Sequence, residues 1–293
     1  AQTENIAIIS SSSEMLSQLP ELIAPTVRNK IILVSNDFPA ITRPWISYSK
    51  RKNLNLCFVD EEDTETLTDQ IIKNIDKDTA AVCISFVQFS SGTCLNIPQL
   101  RKATNNFDVK LIVDITQAAG AIPLYITDWC ADVVVCSGYK WLGGHGGIAF
   151  AVLSDELLKK TPPWVGWFGG EDPFNMNAKQ LSLSKTATKY TQSTLSYISA
   201  VGLSAALKEL LEIDVNEINA HSYELAGILL SGLEHLEWKP FRRVDSSEFS
   251  GHIISLNATT LNIPSTQKYL IKNGIICGIR NGRIRISLAH YNN

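Results

Sequence analysis

One stretch constrains this chain more than any other: residues 110–153, KLIVDITQAAGAIPLYITDWCADVVVCSGYKWLGGHGGIAFAVL. Within it, Leu111–Val113 and Val133–Cys136 are apolar runs of strand length, rich in β-branched residues. The first run ends in Asp114, Thr116 and Gln117, the second in Ser137, Tyr139 and Lys140. Uninterrupted apolar runs are the mark of parallel strands buried on both faces. The carboxyl ends of such strands are where α/β folds hold their ligands. An aspartate and a lysine at two neighbouring strand ends can therefore face each other across one bound molecule.

That pairing suits pyridoxal 5'-phosphate. A lysine amine can form a Schiff base with its aldehyde, and a carboxylate can keep its pyridine nitrogen protonated so that the ring withdraws electrons. The order of residues adds a resemblance. VDITQAAGAIPLYITDWCADVVVCSGYKWLGGHGGIAF is similar to the cofactor signature of the class V aminotransferase family, pyridoxal-phosphate enzymes of fold type I. That signature reads V-D-x-x-Q/H, a small-residue stretch, Asp before a hydrophobic run, then S-x-x-K-W/Y-L-x-G-x-x-G. FPAITRPW (38–45), SFVQFSSG (85–92), GWFGGEDPFNM (166–176), KYTQSTLSYISAVGLSAALKELLEI (189–213) and GRIRISLAHYN (282–292) resemble further family segments in the same order.

The resemblance implies a mostly parallel central sheet flanked by helices, with a small C-terminal α+β domain. It divides the chain into a large cofactor-binding α/β domain over residues 1–195 and a small domain over 196–293. It also implies a chain short at both ends. Relatives carry several tens of residues before the segment resembling 5–16, including an arm over the cofactor, and a further helix after the YNN end.

Read along the chain, NIAIIS (5–10) is a strand. The serines that follow, with Glu14, form an N-cap leading into a helix. A helix start with free N–H groups and hydroxyls is a phosphate site as well as a plain cap. The resemblance favours the phosphate and points to Ser12 and Ser13. Strands are expected over 30–36, 54–60 and 79–90, and helices after the acidic 60–69 loop and over 97–107. In FPAITRPW, Phe38 aligns with the aromatic ring that kynureninase-like members lay on the pyridine face, where desulfurase-like members use His. Gln88, at a strand end, is a substrate-side candidate. GGHGG (143–147) matches no nucleotide-binding glycine pattern. His145 within it reads as a turn or dimer-contact residue, and residues 161–188 as an excursion shaping the substrate pocket.

The resemblance assigns Lys140 to the Schiff base and Asp114 to the pyridine nitrogen. It gives Gln117 the cofactor's phenolic oxygen and Ser137 and Tyr139 the phosphate. Gln117 follows the desulfurases and Tyr139 the kynureninases, so the two patterns are mixed. Thr194 aligns with a threonine that reaches the phosphate of a neighbouring subunit, implying a homodimer. Arg285 aligns with the arginine that grips the substrate's α-carboxylate, with Arg280 as runner-up. Alternation puts Arg283 and Arg285 on one strand face, so spacing does not choose between them.

The reaction is less constrained. Desulfurase-like members carry a cysteine nucleophile just after the Arg280 position, and RNGRIRIS holds none. This argues against persulfide formation and leaves transamination, a C–S lyase or kynureninase-like reaction, or a non-catalytic binding module. The six cysteines show no C-x-x-C spacing, which excludes common zinc motifs and favours reduced, buried thiols. A net charge of −3 offers no footprint for nucleic acid. No apolar run reaches a membrane-spanning length, so a cytoplasmic protein acting on a small amino acid is expected. Arg242–Arg243 reads as a solvated pair.

Overall fold

The computed structural model describes residues 2–25, 27–62 and 65–293; Asp63 and Thr64 of the expected acidic loop lie outside them. In chain order the elements are β1 (Ile6–Ile9), α1 (Ser12–Ile23), β2 (Lys30–Val34), α2 (Pro39–Ser49), β3 (Asn55–Val59), α3 (Leu67–Lys73), β4 (Thr79–Ser85), α4 (Ile97–Asn105) and β5 (Lys110–Asp114). There follow α5 (Ile126–Trp129), β6 (Val133–Ser137), β7 (Ala149–Leu153), α6 (Asp155–Leu158), α7 (Tyr197–Ile213), α8 (Val215–Gly232), β8 (Lys239–Pro240), β9 (Ile253–Asn257), α9 (Ile263–Lys272), β10 (Gly278–Arg280) and β11 (Arg283–Ser287).

The first seven strands form one sheet in the order β1-β7-β6-β5-β4-β2-β3. β3, β2, β4, β5 and β6 run parallel, and β7 is antiparallel to β6 on one side and β1 on the other. Two reversals restore direction, so β1 points the same way as β6. The residues after β1, β2, β4, β5 and β6 therefore collect along one edge of the sheet. Chain order also switches between β2 and β4, the place where open α/β sheets form their ligand crevice.

All five residues of β6 are buried, as are the last four of β5, which is why these strands read as uninterrupted apolar runs. Helices cover both faces. Leu67 and Ile71 from α3 and Leu100 from α4 pack on one side of the sheet with Val82, Val113 and Val134. Met15, Leu16 and Leu19 from α1 and Trp45 from α2 pack on the other with Leu33, Ile112 and Val135. The expected strand over 79–90 is shorter: β4 ends at Ser85, and the chain turns through Gln88–Thr93. Gly92 at φ +78° makes that turn, and a Cβ there would lie 2.0 Å from the Ile253 carbonyl oxygen. A side chain is excluded at this crossing.

The second sheet, β10-β11-β9-β8, is antiparallel. Ile254 and Leu256 of β9 and Ile286 of β11 face Ala226 of α8 and Phe249. By alternation, Ser255, Arg283 and Arg285 face the other way. β10 and β11 are joined by Asn281 and Gly282, both at positive φ, as a two-residue type I′ turn requires.

Two expectations are corrected. Arg242 is not solvated: it is 6% exposed, 2.9 Å from Glu61 and 3.8 Å from Glu248. The Glu248 carboxylate in turn accepts hydrogen bonds from Leu67 N, Thr68 N and Thr68 Oγ1 at the start of α3. A desolvated charge needs such partners. Arg243 is exposed and pairs with Asp245. The cysteines are free, but only Cys83 and Cys136 are buried, and Cys130 is exposed. Among the described residues no helix is long and apolar enough to cross a membrane.

Removing Arg242 strands two buried carboxylates. Arg242→Ala should cost about 3–5 kcal/mol of stability, and Arg243→Ala no more than about 0.5 kcal/mol. Urea denaturation of the two variants checks this, and equal effects would contradict the buried network.

Candidate active site at the carboxyl edge of the large sheet

A cavity of about 230 Å³ lies at the edge where the strand ends collect, lined by Ser11, Ser12, Ser13, Phe38, Ser85, Phe89, Asp114, Thr116, Gln117, Ser137, Tyr139 and Lys140. Larger grooves exist elsewhere, of about 660 Å³ beside α1 and α2 and about 560 Å³ within the 166–182 loop. They lack a facing carboxylate and amine, so size does not select the site.

At one end of the cavity is Asp114, 5% exposed. Thr116 N donates to its Oδ1 at 2.7 Å, and it forms no ion pair among the described residues. Burial is the main cause that raises its carboxyl to about 6, reinforced by nearby Asp37 and opposed by Thr116 and Lys140. A buried carboxylate with so little compensation is poised for a cationic partner. The β5–β6 register pairs Asp114 with Val135, and Lys140 follows at the next strand end. Burial, with Arg285 and Arg280, lowers the Lys140 ammonium from its ordinary value, while Asp114 opposes them. A lysine so placed yields its proton more readily and becomes a nucleophile.

At the other end are the serines. Ser11 is the N-cap of the 12-residue α1 and accepts from Glu14 N. Ser12 and Ser137 share a hydrogen bond of 2.8 Å, tying the helix start to the end of β6. Hydroxyls and free N–H groups at a helix start suit a phosphate. Between the two ends lies Phe38, with the Lys140 Nζ 5.3 Å from its ring centroid and the Phe89 ring in edge contact at 5.4 Å.

Gln117 is fixed from two sides. Trp141 Nε1 donates to its Oε1 at 2.9 Å, and His252 Nε2 lies 2.7 Å from its backbone oxygen. The indole bond settles the amide orientation and leaves the Nε2 group as donor. His252 is buried and pushed down to about 4 by burial; it is neutral and donates to that carbonyl.

Not every residue singled out in the sequence meets at the cavity. Gln88 is fully buried and donates to Asp37 and to the Ser85 carbonyl, away from the wall. Thr194 is exposed in the loop before α7, whose N-cap is Ser196. Arg285 stands behind the wall, donating to the Phe89 carbonyl at 2.8 Å. Arg280 is exposed and bonds its own neighbour's carbonyl. His145 sits in its turn against Gly202 of α7. Of the excursion, Trp164 reaches the groove shared by Ser13 and Phe38, and none of it lines the cavity.

The structure adds residues that the sequence reading passed over. Thr116 accepts from Ser137 N and braces β5 against β6. Asp37, after β2, accepts from Phe38 N, Ser85 N, Ser85 Oγ and Gln88 Nε2. A second carboxylate after an apolar run, KIILVSND, was the available signal. His252 had none, because its partner is 135 residues away.

A model of the class-V aminotransferases matches residues 1–293. The chain belongs to that family. The Bacillus subtilis (strain 168) uncharacterized aminotransferase YcbU is 26% identical over 75% of this chain and 58% of its own length. A kynureninase of Bacillus mycoides is 26% identical over 91% of this chain and 64% of its own. The chain thus spans about three fifths of these two relatives. The apo cysteine desulfurase of Thermococcus onnurineus NA1 superposes with a TM-score of 0.88 at 21% identity, over 100% of this chain and 76% of that one. A cystine C–S lyase superposes with a TM-score of 0.87 at 18% identity, covering 100% and 79%. These likenesses establish fold type I, with its mostly parallel sheet and flanking helices. The donor set also fits pyridoxal phosphate: an unpaired buried carboxylate, an aromatic platform, a half-buried amine, and hydroxyls at a helix start.

The raised Asp114 carboxyl has a consequence for the cofactor-free protein. The folded state holds this proton more tightly than the unfolded chain does. The group therefore stabilises the fold below about pH 4, and that contribution is lost as pH rises through about 6. Relative to Asp114→Asn, the parent should lose up to roughly 3 kcal/mol between about pH 4 and pH 8. Paired denaturation curves test this, and a pH-independent difference would contradict it.

Proposed function

We propose that the protein is a pyridoxal-phosphate enzyme acting on an α-amino acid, by transamination or a related class-V reaction. The observation that carries this is Asp114, buried with no ion-pair partner among the described residues, facing Lys140 across one cavity. The cofactor, when bound, supplies an electron sink for the carbanion left when a bond at the substrate Cα breaks.

The chain's own groups have distinct tasks in this reading. Lys140 would hold the cofactor covalently, and its amine would carry the proton at the substrate Cα. Asp114 holds the proton on the pyridine nitrogen, and that cation satisfies the buried carboxylate. Phe38 fixes the ring plane by stacking. Gln117 donates from Nε2 to the phenolic oxygen. Ser12, Ser13, Ser137 and Tyr139 take the phosphate, with Ser11 shaping the helix start. Arg285 receives the substrate α-carboxylate as a bidentate fork.

A homodimer completes the site, with Thr194 of each protomer directed to its neighbour's phosphate. The motive is the exposure of Thr194 beside Tyr197, Ile198 and Val201, all at least 70% exposed; a monomer in solution with cofactor fully bound would remove this assembly. We divide the chain at residues 195 and 196 because the small sheet is built wholly from later residues. A single stable proteolytic core with no cleavage near that boundary would argue against it. Six free thiols support the cytoplasm, and recovery of the protein outside it would overturn that location.

A lyase reading stands beside transamination, supported by the kynureninase and C–S lyase likenesses. Products of an amino-acid panel separate the two: keto acid for transamination, alanine or sulfide for the lyases. Absence of a visible cofactor band after incubation with pyridoxal phosphate would instead leave a non-catalytic binding module.

Lys140→Ala should abolish borohydride-reducible cofactor attachment while the circular-dichroism spectrum stays that of the parent. Attachment at the parent level would remove Lys140 from its role. Arg285→Lys should weaken substrate binding by about 1.5–3 kcal/mol, about ten- to a hundredfold, because an ammonium cannot form the fork. The cofactor's absorption should hardly move. Substrate titrations unchanged by the substitution would sink the assignment.

A further inference from the structure

Resting on the amino-acid reading above, we infer that the substrate carries a second carboxylate at the end of its side chain, received by Arg280 while Arg285 holds the α-carboxylate. The β10–β11 hairpin pairs Gly278 with Arg285 and Arg280 with Arg283. The Arg280 guanidinium does not stay at its own register position. It folds back so that Nη1 donates to the Ile279 carbonyl at 2.7 Å. A Cβ built on Gly278 would lie 3.7 Å from that Nη1 and 3.9 Å from Cζ. Gly278 stands directly across from Arg285, so the two arginines share one neighbourhood, and glycine keeps the space between the strands free of a side chain.

Neither cation has a carboxylate partner among the described residues. Arg101 and Arg243 each have one, and Arg242 has two. Arg285 and Arg280 bond only backbone carbonyls, and the buried Nε of Arg285 has no partner. Adjacent like charges without a counter-ion are unfavourable, and an anion relieves them. One carboxylate fills one guanidinium fork, so two forks call for two. Their depths separate the roles. Arg285 is half-buried behind Phe89 and meets the group nearest the reacting carbon, whereas Arg280 is exposed and meets the distal one. Both depress the Lys140 ammonium, so both act within electrostatic reach of the reacting amine. Arg283 is occupied elsewhere, its guanidinium carbon 3.5 Å over the Phe241 ring.

Calorimetric titration of the cofactor-loaded protein with succinate and propionate, two unreactive probes differing by one carboxylate, tests this. Succinate should bind at least tenfold more tightly. Arg280→Gln should erase that advantage with little change for propionate, Arg280→Lys should restore part of it, and Arg285→Gln should weaken both probes. Equal binding of the probes by the parent protein overturns the inference. So does an Arg280→Gln variant that loses propionate as much as succinate, because the two arginines would then share one carboxylate. Undiminished binding of both probes by Arg285→Gln would remove Arg285 from the α-carboxylate role and overturn the two-arginine assignment, while the amino-acid reading would stand or fall on turnover of the amino-acid panel.

Discussion

A buried carboxylate without a counter-charge is the constraint around which this molecule is arranged. Asp114 sits at the end of β5 because the three preceding apolar residues, Leu111–Val113, require the sheet interior, and the chain must leave the sheet there. Its desolvation raises the carboxyl toward neutrality, and the surroundings compensate only in part, through hydrogen bonding to Thr116 and the more distant charge of Lys140. Natural folds tolerate such a group where a ligand supplies the missing charge. The parallel β4–β5–β6 register and the double reversal through β7 and β1 all bring their chain ends to the same edge as this one group.

The second organising feature is the attachment of the small sheet. It meets the large one through groups that cannot move independently of the cavity. His252, just before β9, holds the Gln117 carbonyl, and its ring packs edge-on against Trp141 at 4.7 Å. Trp141 in turn orients the Gln117 amide. Ile253 closes on Gly92, and Arg242 with Glu248 anchors the same segment to Glu61 and α3. The donor set facing the cofactor space is thus held from both sheets. Loosening the small sheet would free the amide that the large sheet presents.

What the sequence disclosed, and what it did not, follows from the range of the interactions involved. β5, β6 and their polar ends were legible because the information is local: an apolar run, then a change of composition. α1 and its serine start were legible for the same reason, and the capping serine of that cluster is Ser11. Arg242 was misread because its two carboxylates come from residue 61 and from residue 248, and only the fold brings them together. Gln88 looked like a substrate contact from its place at a strand end. The strand stops at Ser85, so the side chain turns inward to Asp37. Alternation correctly put Arg283 and Arg285 on one face yet left them equivalent. The structure separates them, because Phe241 takes one and the Phe89 carbonyl the other.

The same logic bears on reaction type. The hairpin after Arg280 closes in two residues, Asn281 and Gly282, both in the left-handed region that a type I′ turn demands. Arg280 and Arg283 are therefore register partners, and no segment is left between them that could carry a nucleophile to the cavity. Cys277 lies on the strand side of this turn, three residues before Arg280, and burial raises its thiol above the ordinary value, away from the thiolate that sulfur transfer needs. A tight turn also fixes the two strands in register, with Arg280 across from Arg283 and Gly278 across from Arg285. The turn that leaves only two residues between Arg280 and Arg283 is thus the one that sets the register of the whole hairpin.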